Sequence, residues 1–179
     1  MVFSIIFTMS LVITGITYGV DVKEVIQGPT EFISKDGDYT IKIPDKWELM
    51  KDQMGTDFIA LAPALDTKDL FRENLNVITA KFDFPITREE YYSLNIKSLN
   101  DLLTDFDLEE SHDVQLGGIE ARMLIFTHRI GVVNVKVIQY LLLIKQKAIV
   151  VSFTSDTIEY PKFKEQFDKI ASTLNFEKK

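Results

Sequence analysis

Apolar and polar positions alternate along residues 31–34 and 39–43, on either side of Lys35-Asp36-Gly37-Asp38. An Asp-Gly pair between two short alternating runs predicts a β-hairpin. Pro44 ends the second arm, and Trp47 follows Asp45-Lys46. A further hairpin arm is expected over residues 57–62, with Gly55 at its turn and Pro63 at its end. Residues 64–72 read as a loop or a short helix. A long strand over residues 74–84 would set Leu75, Val77, Thr79 and Lys81 on one face and Asn76, Ile78, Ala80 and Phe82 on the other.

The period then changes from two to nearly four. Thr87 with Glu90 three residues later forms a capping box, and Ile86 with Tyr91 forms a hydrophobic staple. Tyr92, Ile96, Leu99 and Leu103 make the expected buried stripe of this helix. A meander follows. Residues 106–115 lead to the Gly117-Gly118 turn, 119–128 to a turn at Gly131, 133–144 to Lys145-Gln146-Lys147, and 148–154 complete it. The nearly continuous apolar run 137–144, broken only by Gln139, predicts a strand covered on both faces. A closing helix starts near Tyr160 with Pro161 in its first turn, and buries Phe163, Phe167, Ile170 and Leu174. Phe176 is expected to pack behind it. The pattern defines an α+β domain: a three-layer α/β/α sandwich with a mainly antiparallel β-sheet, one helix on each face.

Residues 1–20 carry no charge, and Asp21 is the first charged residue. Within them, Ile5, Ile6, Phe7, Leu11, Val12, Ile13 and Ile16 form an apolar block, and Thr17 and Gly19 have the spacing of a signal-peptidase site. Residues 1–19 therefore read as a signal peptide, and residues 20–179 as a single domain. No Lys or Arg precedes the block, so two alternatives stay open: an uncleaved anchor, since about 20 residues can span a bilayer, or a first element of the fold. Export implies a periplasmic or secreted protein, or one anchored by this segment.

Composition removes several chemistries. The 179 residues are 46% hydrophobic and 26% charged, enough apolar content for a real core. There is no cysteine, which excludes thiol catalysis, disulfides and thiolate metal sites. The formal net charge of −7 argues against nucleic acid as a partner, and against membrane except through an uncleaved N-terminal segment. His112 and His128 are the only histidines, and no His-Glu-x-x-His occurs. The acidic stretch Asp105, Asp107, Glu109, Glu110 and Asp113 has the oxygen density of a hard-cation site but lacks the EF-hand spacing. A solvated connection or edge strand is its simpler account. Ser111, His112 and Asp113 are adjacent, but neighbours on a strand point to opposite faces and cannot form a triad. No P-loop, Gly-x-Gly-x-x-Gly or Gly-x-Ser-x-Gly is present. We therefore expect no catalytic residues, no metal ligands and no cofactor. Trp47, Phe82, Phe84 and Ile86 are the candidate interaction surface, with core packing as the competing account of each.

The order of signals resembles the PsbP/DcrB superfamily, which also contains a yeast regulator of the Ran GTPase. The resemblance lies in Tyr39-Thr40-Ile41-Lys42-Ile43-Pro44-Asp45-Lys46-Trp47, in residues 74–80, in Leu116-Gly117-Gly118-Ile119-Glu120-Ala121, and in residues 150–155 followed by Tyr160, Phe163, Phe167, Ile170 and residues 174–176. It implies an α/β/α sandwich and an accessory, assembly or interaction role rather than catalysis. Members include photosystem II extrinsic subunits, bacterial envelope proteins and adaptor chaperones for secreted effectors. No residues match a metal site of the photosystem members. The expected function is that of a non-catalytic envelope protein that binds a protein partner of a membrane-associated complex. The alternatives are a small-molecule or lipid carrier, and an enzyme built around His112 or His128.

Overall fold

The computed structural model describes residues 25–27, 29–53, 55–65 and 71–177. The signal-peptide reading of residues 1–19, and most of the loop or helix expected at 64–72, lie outside the described residues.

Eleven strands and two helices follow one another among them. The strands are β1 (Val25–Gln27), β2 (Thr30–Ile33), β3 (Tyr39–Ile43), β4 (Glu48–Lys51), β5 (Phe58–Leu61) and β6 (Asn74–Lys81). After α1 (Arg88–Leu102) come β7 (Thr104–Leu116), β8 (Ile119–Ile130), β9 (Val133–Ile144) and β10 (Lys147–Asp156). The chain closes with α2 (Tyr160–Ala171) and β11 (Asn175–Phe176). The main sheet has eight strands in the order β1-β4-β5-β6-β10-β9-β8-β7, and a smaller sheet has the order β11-β3-β2. Every pairing is antiparallel.

Side-chain parity assigns the layers. Leu75, Val77, Ile138, Tyr140, Leu142, Ile149, Val151 and Phe153 point to one face, where they meet Phe167 and Ile170 of α2 and Tyr39, Ile41 and Phe176 of the small sheet. Leu124, Phe126, Val135, Val137, Leu141, Ala148 and Val150 point to the other face, where they meet Tyr91, Tyr92 and Leu99 of α1. The helices thus cover opposite faces, and the protein is the three-layer α/β/α sandwich. β10 is sandwiched between β6 and β9 and between both cores, so Ala148 to Ser155 are all buried.

Local chemistry forms the elements much as the pattern requires. Thr87 Oγ1 accepts the Glu90 N–H, and the Glu90 carboxylate accepts the Thr87 N–H at 2.9 Å. This satisfies two of the N–H groups a helix start leaves open. Ile86 and Tyr91 are buried in the same cluster, as a staple requires. The buried stripe of α1 differs from expectation: Tyr91, Tyr92, Asn95 and Leu99 are buried, while Ile96 is half-buried. Leu103 is an extended C-cap just past the helix, half-buried and packed against the same cluster. β6 ends at Lys81, three residues short of the expected strand, and the Phe82 N–H still donates to the Gln146 carbonyl at 2.8 Å in the register of the β6–β10 pairing. Phe176 does more than pack: it pairs with Tyr39 and completes the small sheet.

Candidate functional site

The four sequence-nominated surface residues do not form one surface. Trp47 is 1% exposed and sits in the core on the α2 side. A turn that places Lys46 at φ 67° and bonds the Trp47 N–H to the Pro44 carbonyl returns the chain inward, so the indole packs instead of projecting. Phe82 and Ile86 are buried on the α1 side. Phe84 alone among the four is exposed, with its ring set edge-on to Phe82 at 5.5 Å.

The histidines are kept apart by the sheet. His112 is opposite Met123, which packs toward the α2 core; His128 is opposite Val135, in the α1 core. No single cleft can hold both. His112 is half-exposed, with Glu110 at 3.9 Å. His128 is buried, and burial lowers its imidazole pKa below the ordinary 6.5. A lowered folded-state pKa means the unfolded chain takes up the proton first. Stability from this residue is complete above pH 6.5 and declines as pH falls toward the lowered value. His128→Leu should flatten that decline. Urea unfolding of both proteins at about pH 7.5 and about pH 5.5 checks it, and equal losses on acidification would rule it out.

The acidic stretch is the edge strand β7. Its carboxylates are spread along ion pairs to the neighbouring strands: Asp105 to Arg129 at 2.6 Å, Glu109 to Lys136 at 2.5 Å, and Asp113 to Arg122 at 2.8 Å. Asp113 and Ser111 share a face and both bond Arg122, while His112 faces the other way. Register shifts fall between Thr104 and Asp107 and between Leu108 and Glu110. The second inserts Glu109 and exchanges the faces. Phe106 and Leu108 face α1, whereas Val114 and Leu116 face α2. Two irregularities and a row of like charges discourage this edge from pairing with a second copy of itself. Among the described residues no group of three or more His, Asp or Glu is placed to hold a metal ion.

Surface clefts open at the two ends of the sheet. One, of about 470 Å³, lies beside the β2–β3 hairpin and is lined by Phe32, Lys51, Asp52, Asp57 and Thr79 among others. Asp57 Oδ2 there accepts the Tyr39 hydroxyl at 2.8 Å and the Thr79 hydroxyl at 2.6 Å. That carboxylate joins the small sheet to the main one, a structural use. Burial, reinforced by Asp57, holds the Tyr39 phenol far above its ordinary pKa, so it stays a donor. Nearby, Lys147 bridges Asp36 at 3.0 Å and also Asp38, tying the hairpin tip to β10.

The opposite end is different in character. The β8–β9 turn and the β10–α2 connection meet there, held by the Thr157 N–H donating to the Asn134 carbonyl at 3.0 Å. Between them is a cleft of about 320 Å³, lined by Phe71, Val132, Val133, Ile158, Glu73, Asn134, Asp156, Thr157 and Glu159. Phe71 and Val133 are buried in its wall, but Val132 is 87% and Ile158 79% exposed. Single exposed apolar residues are ordinary; two this exposed at the mouth of one apolar-walled cleft are a patch. Asp156 Oδ1 accepts the Ile158 N–H at 2.7 Å, which fixes the connection that presents Ile158. None of these residues was nominated from sequence. The available signal was an apolar residue directly after Gly131, and another between Thr157 and Glu159, where turn chemistry favours polar residues.

No protein-family model matches this sequence, and no curated protein is similar to it in sequence. Solved structures are similar in fold, and they define the class: a PsbP/DcrB/Mog1-like α/β/α sandwich. LpqN of Mycobacterium tuberculosis, involved in cell envelope biogenesis, superposes with a TM-score of 0.64 at 14% identity, over 88% of this chain and 95% of that one. The cyanobacterial PsbP (CyanoP) of Synechocystis sp. PCC 6803 gives 0.61 at 16% identity, over 85% and 94%. The Ran-binding protein Mog1p of Saccharomyces cerevisiae gives 0.56 at 10% identity, over 84% and 96%. At these identities the likeness is one of fold, and none of the three is named for an enzymatic activity. Among the described residues no helix is long and apolar enough to cross a membrane.

Proposed function

We propose that this chain is a non-catalytic, exported protein of the cell envelope that binds another protein, in an accessory or assembly role for a membrane-associated complex. The observation that carries the binding reading is the apolar-walled cleft at the β8–β9 end, with Val132 and Ile158 exposed at its mouth. Exposed apolar area of this kind is stabilised when a partner removes it from water. Export is supported by the uncharged segment 1–20 and by the description of LpqN as acting in envelope biogenesis. Absence of catalysis is supported by the placement of His112 and His128 on opposite faces.

The test is photo-crosslinking in the native host, with a photoreactive residue at position 132 and, as control, at exposed Leu94 on α1. Position 132 should capture a defined envelope protein and position 94 should not. Val132→Asp with Ile158→Asp should abolish capture by a probe at neighbouring position 134, while unfolding stability stays within about 0.5 kcal/mol, as surface substitutions do. Equal capture from 94 and 132, or capture that survives both substitutions, sinks the reading.

A further inference from the structure

We infer that α1 is a displaceable cover: it lifts from the main sheet as a unit while the rest of the sandwich stays folded. The inference is independent of the docking surface at the β8–β9 end and starts from the chemistry that α1 buries. Its inward residues are Tyr91, Tyr92, Asn95 and Leu99, so three of the four carry a polar group. Asn95 is 0% exposed, and neither end of its amide has a hydrogen-bond partner. The Tyr91 hydroxyl is adjacent, but a bond between the two would engage only one end of that amide. On the sheet, Gln139 of β9 shares the α1 face with Leu124 of β8 and Ser152 of β10, its partners in register. The Gln139 Nε2 donates to the Ser152 hydroxyl at 3.1 Å, while its Oε1 is buried without a partner. The α2 side is built differently. α2 buries Tyr160, Phe167, Ile170 and Ala171, with no amide among them, and Phe167 meets the Phe153 ring at 5.2 Å.

A polar group pressed into a core without a partner gives up its hydrogen bonds to water and receives none in exchange. Seating α1 on the sheet therefore sacrifices hydrogen bonds that lifting it restores. An interface of this kind belongs to the low-stability end of a fold, the part that opens by itself. The connections of α1 permit the motion. An irregular segment, residues 82–87, leads into the helix. At the other end the chain turns extended at Leu103, and Asp105 takes φ 55°. The pairing of β7 with β8 shifts register just there, between Thr104 and Asp107. So α1 hangs between a loop and an interrupted edge strand. It is held by apolar contact of Tyr91, Tyr92 and Leu99 with the sheet and by an exposed Arg88–Glu120 ion pair at 2.5 Å, a weak tie. Lifting it uncovers Leu124, Phe126 and Leu141, an apolar face that the closed protein hides.

The test is native-state hydrogen exchange on the full chain labelled with ¹⁵N, followed at several low urea concentrations. The amides of Ile96 and Leu99 in α1 should exchange roughly 100-fold faster than those of Tyr140 in β9 and Val151 in β10. Their rates should also depend less on urea, because a lifted helix exposes less surface than an unfolded chain. Two substitutions separate lifting from global unfolding. Phe167→Leu, in the α2-side core, should speed exchange at Tyr140 and Val151 about tenfold and leave Ile96 and Leu99 unchanged. Asn95→Leu is close in volume and needs no partner, so it should slow exchange at Ile96 and Leu99 about tenfold. Asn95→Met, whose flexible chain fits irregular gaps, repeats that comparison should the branched side chain pack poorly. The inference is overturned if the α1 amides exchange no faster than those of β9 and β10. It is equally overturned if Phe167→Leu speeds all four amides alike, or if neither substitution at Asn95 slows exchange in α1.

Discussion

Trp47→Ala is expected to destabilise the domain by about 3–5 kcal/mol, the range for removing a buried Trp or Phe from a core. The indole is 1% exposed and belongs to the cluster joining the small sheet, the main sheet and α2. The loss is large against a total stability of about 5–15 kcal/mol for a domain of this size. Urea unfolding should show a lower midpoint with an unchanged slope, because the same surface is exposed on unfolding. Phe84→Ala is the comparison. Phe84 is 45% exposed, touches Phe82 at one edge, and should cost under about 1 kcal/mol. This pair separates two accounts of Trp47. A binding anchor would lose partner affinity and leave stability nearly intact, so a Trp47→Ala protein as stable as the parent would contradict the burial described above.

Gly117→Ala is expected to cost about 2–5 kcal/mol, more than the same change one residue later. Both glycines of the β7–β8 turn have positive φ, 57° at Gly117 and 78° at Gly118. Each substitution therefore carries the left-handed strain of an L-residue, about 1–2 kcal/mol. Only Gly117 adds a collision. A Cβ there would lie 2.7 Å from the Leu174 carbonyl oxygen and 2.7 Å from the Phe176 ring, whereas at Gly118 nothing lies within 4 Å. Relief requires moving β11, which pairs with β3 through Phe176 and Tyr39. Such overpacking adds about 1–3 kcal/mol. Denaturation of the two single variants side by side isolates the collision as their difference. Equal destabilisation would mean that the C-terminal strand does not press on this turn.

These two residues also mark how far the sequence could be read. Gly117-Gly118 is legible as a turn because glycine chemistry is local. The close approach of Phe176 to that turn is not, since the two are joined only through the closing helix and the small sheet. The capping box at Thr87 and Glu90, the Asp-Gly hairpin and the Pro161 start of α2 are legible for the same reason as the turn: each is set by residues within four positions of one another. The nearly continuous apolar run 137–144 reveals a strand with both faces buried. Period alone does not say that α1 covers one face and α2 the other.

Around the candidate site the division is sharper. Trp47 invites reading as either anchor or core, and only the turn at Pro44–Lys46 and the arrival of α2 and the small sheet make it core. In β7 the face pattern is readable on each side of Glu109 but not across it, because an inserted residue exchanges faces without any mark in composition. Val132 and Ile158 are each unremarkable as isolated apolar residues near a turn. They become a surface because β9 and β10 pair in register, which brings the turn before β9 to the connection after β10, where the Thr157 N–H finds the Asn134 carbonyl. The amino-acid sequence by itself determined the class of fold, the element types, the absence of thiol chemistry and the acidic balance, since these follow from short-range chemistry and composition. The tertiary structure decided which apolar residues are core and which are surface, because burial is a property of what packs against a side chain, and here that is always a segment distant in the chain.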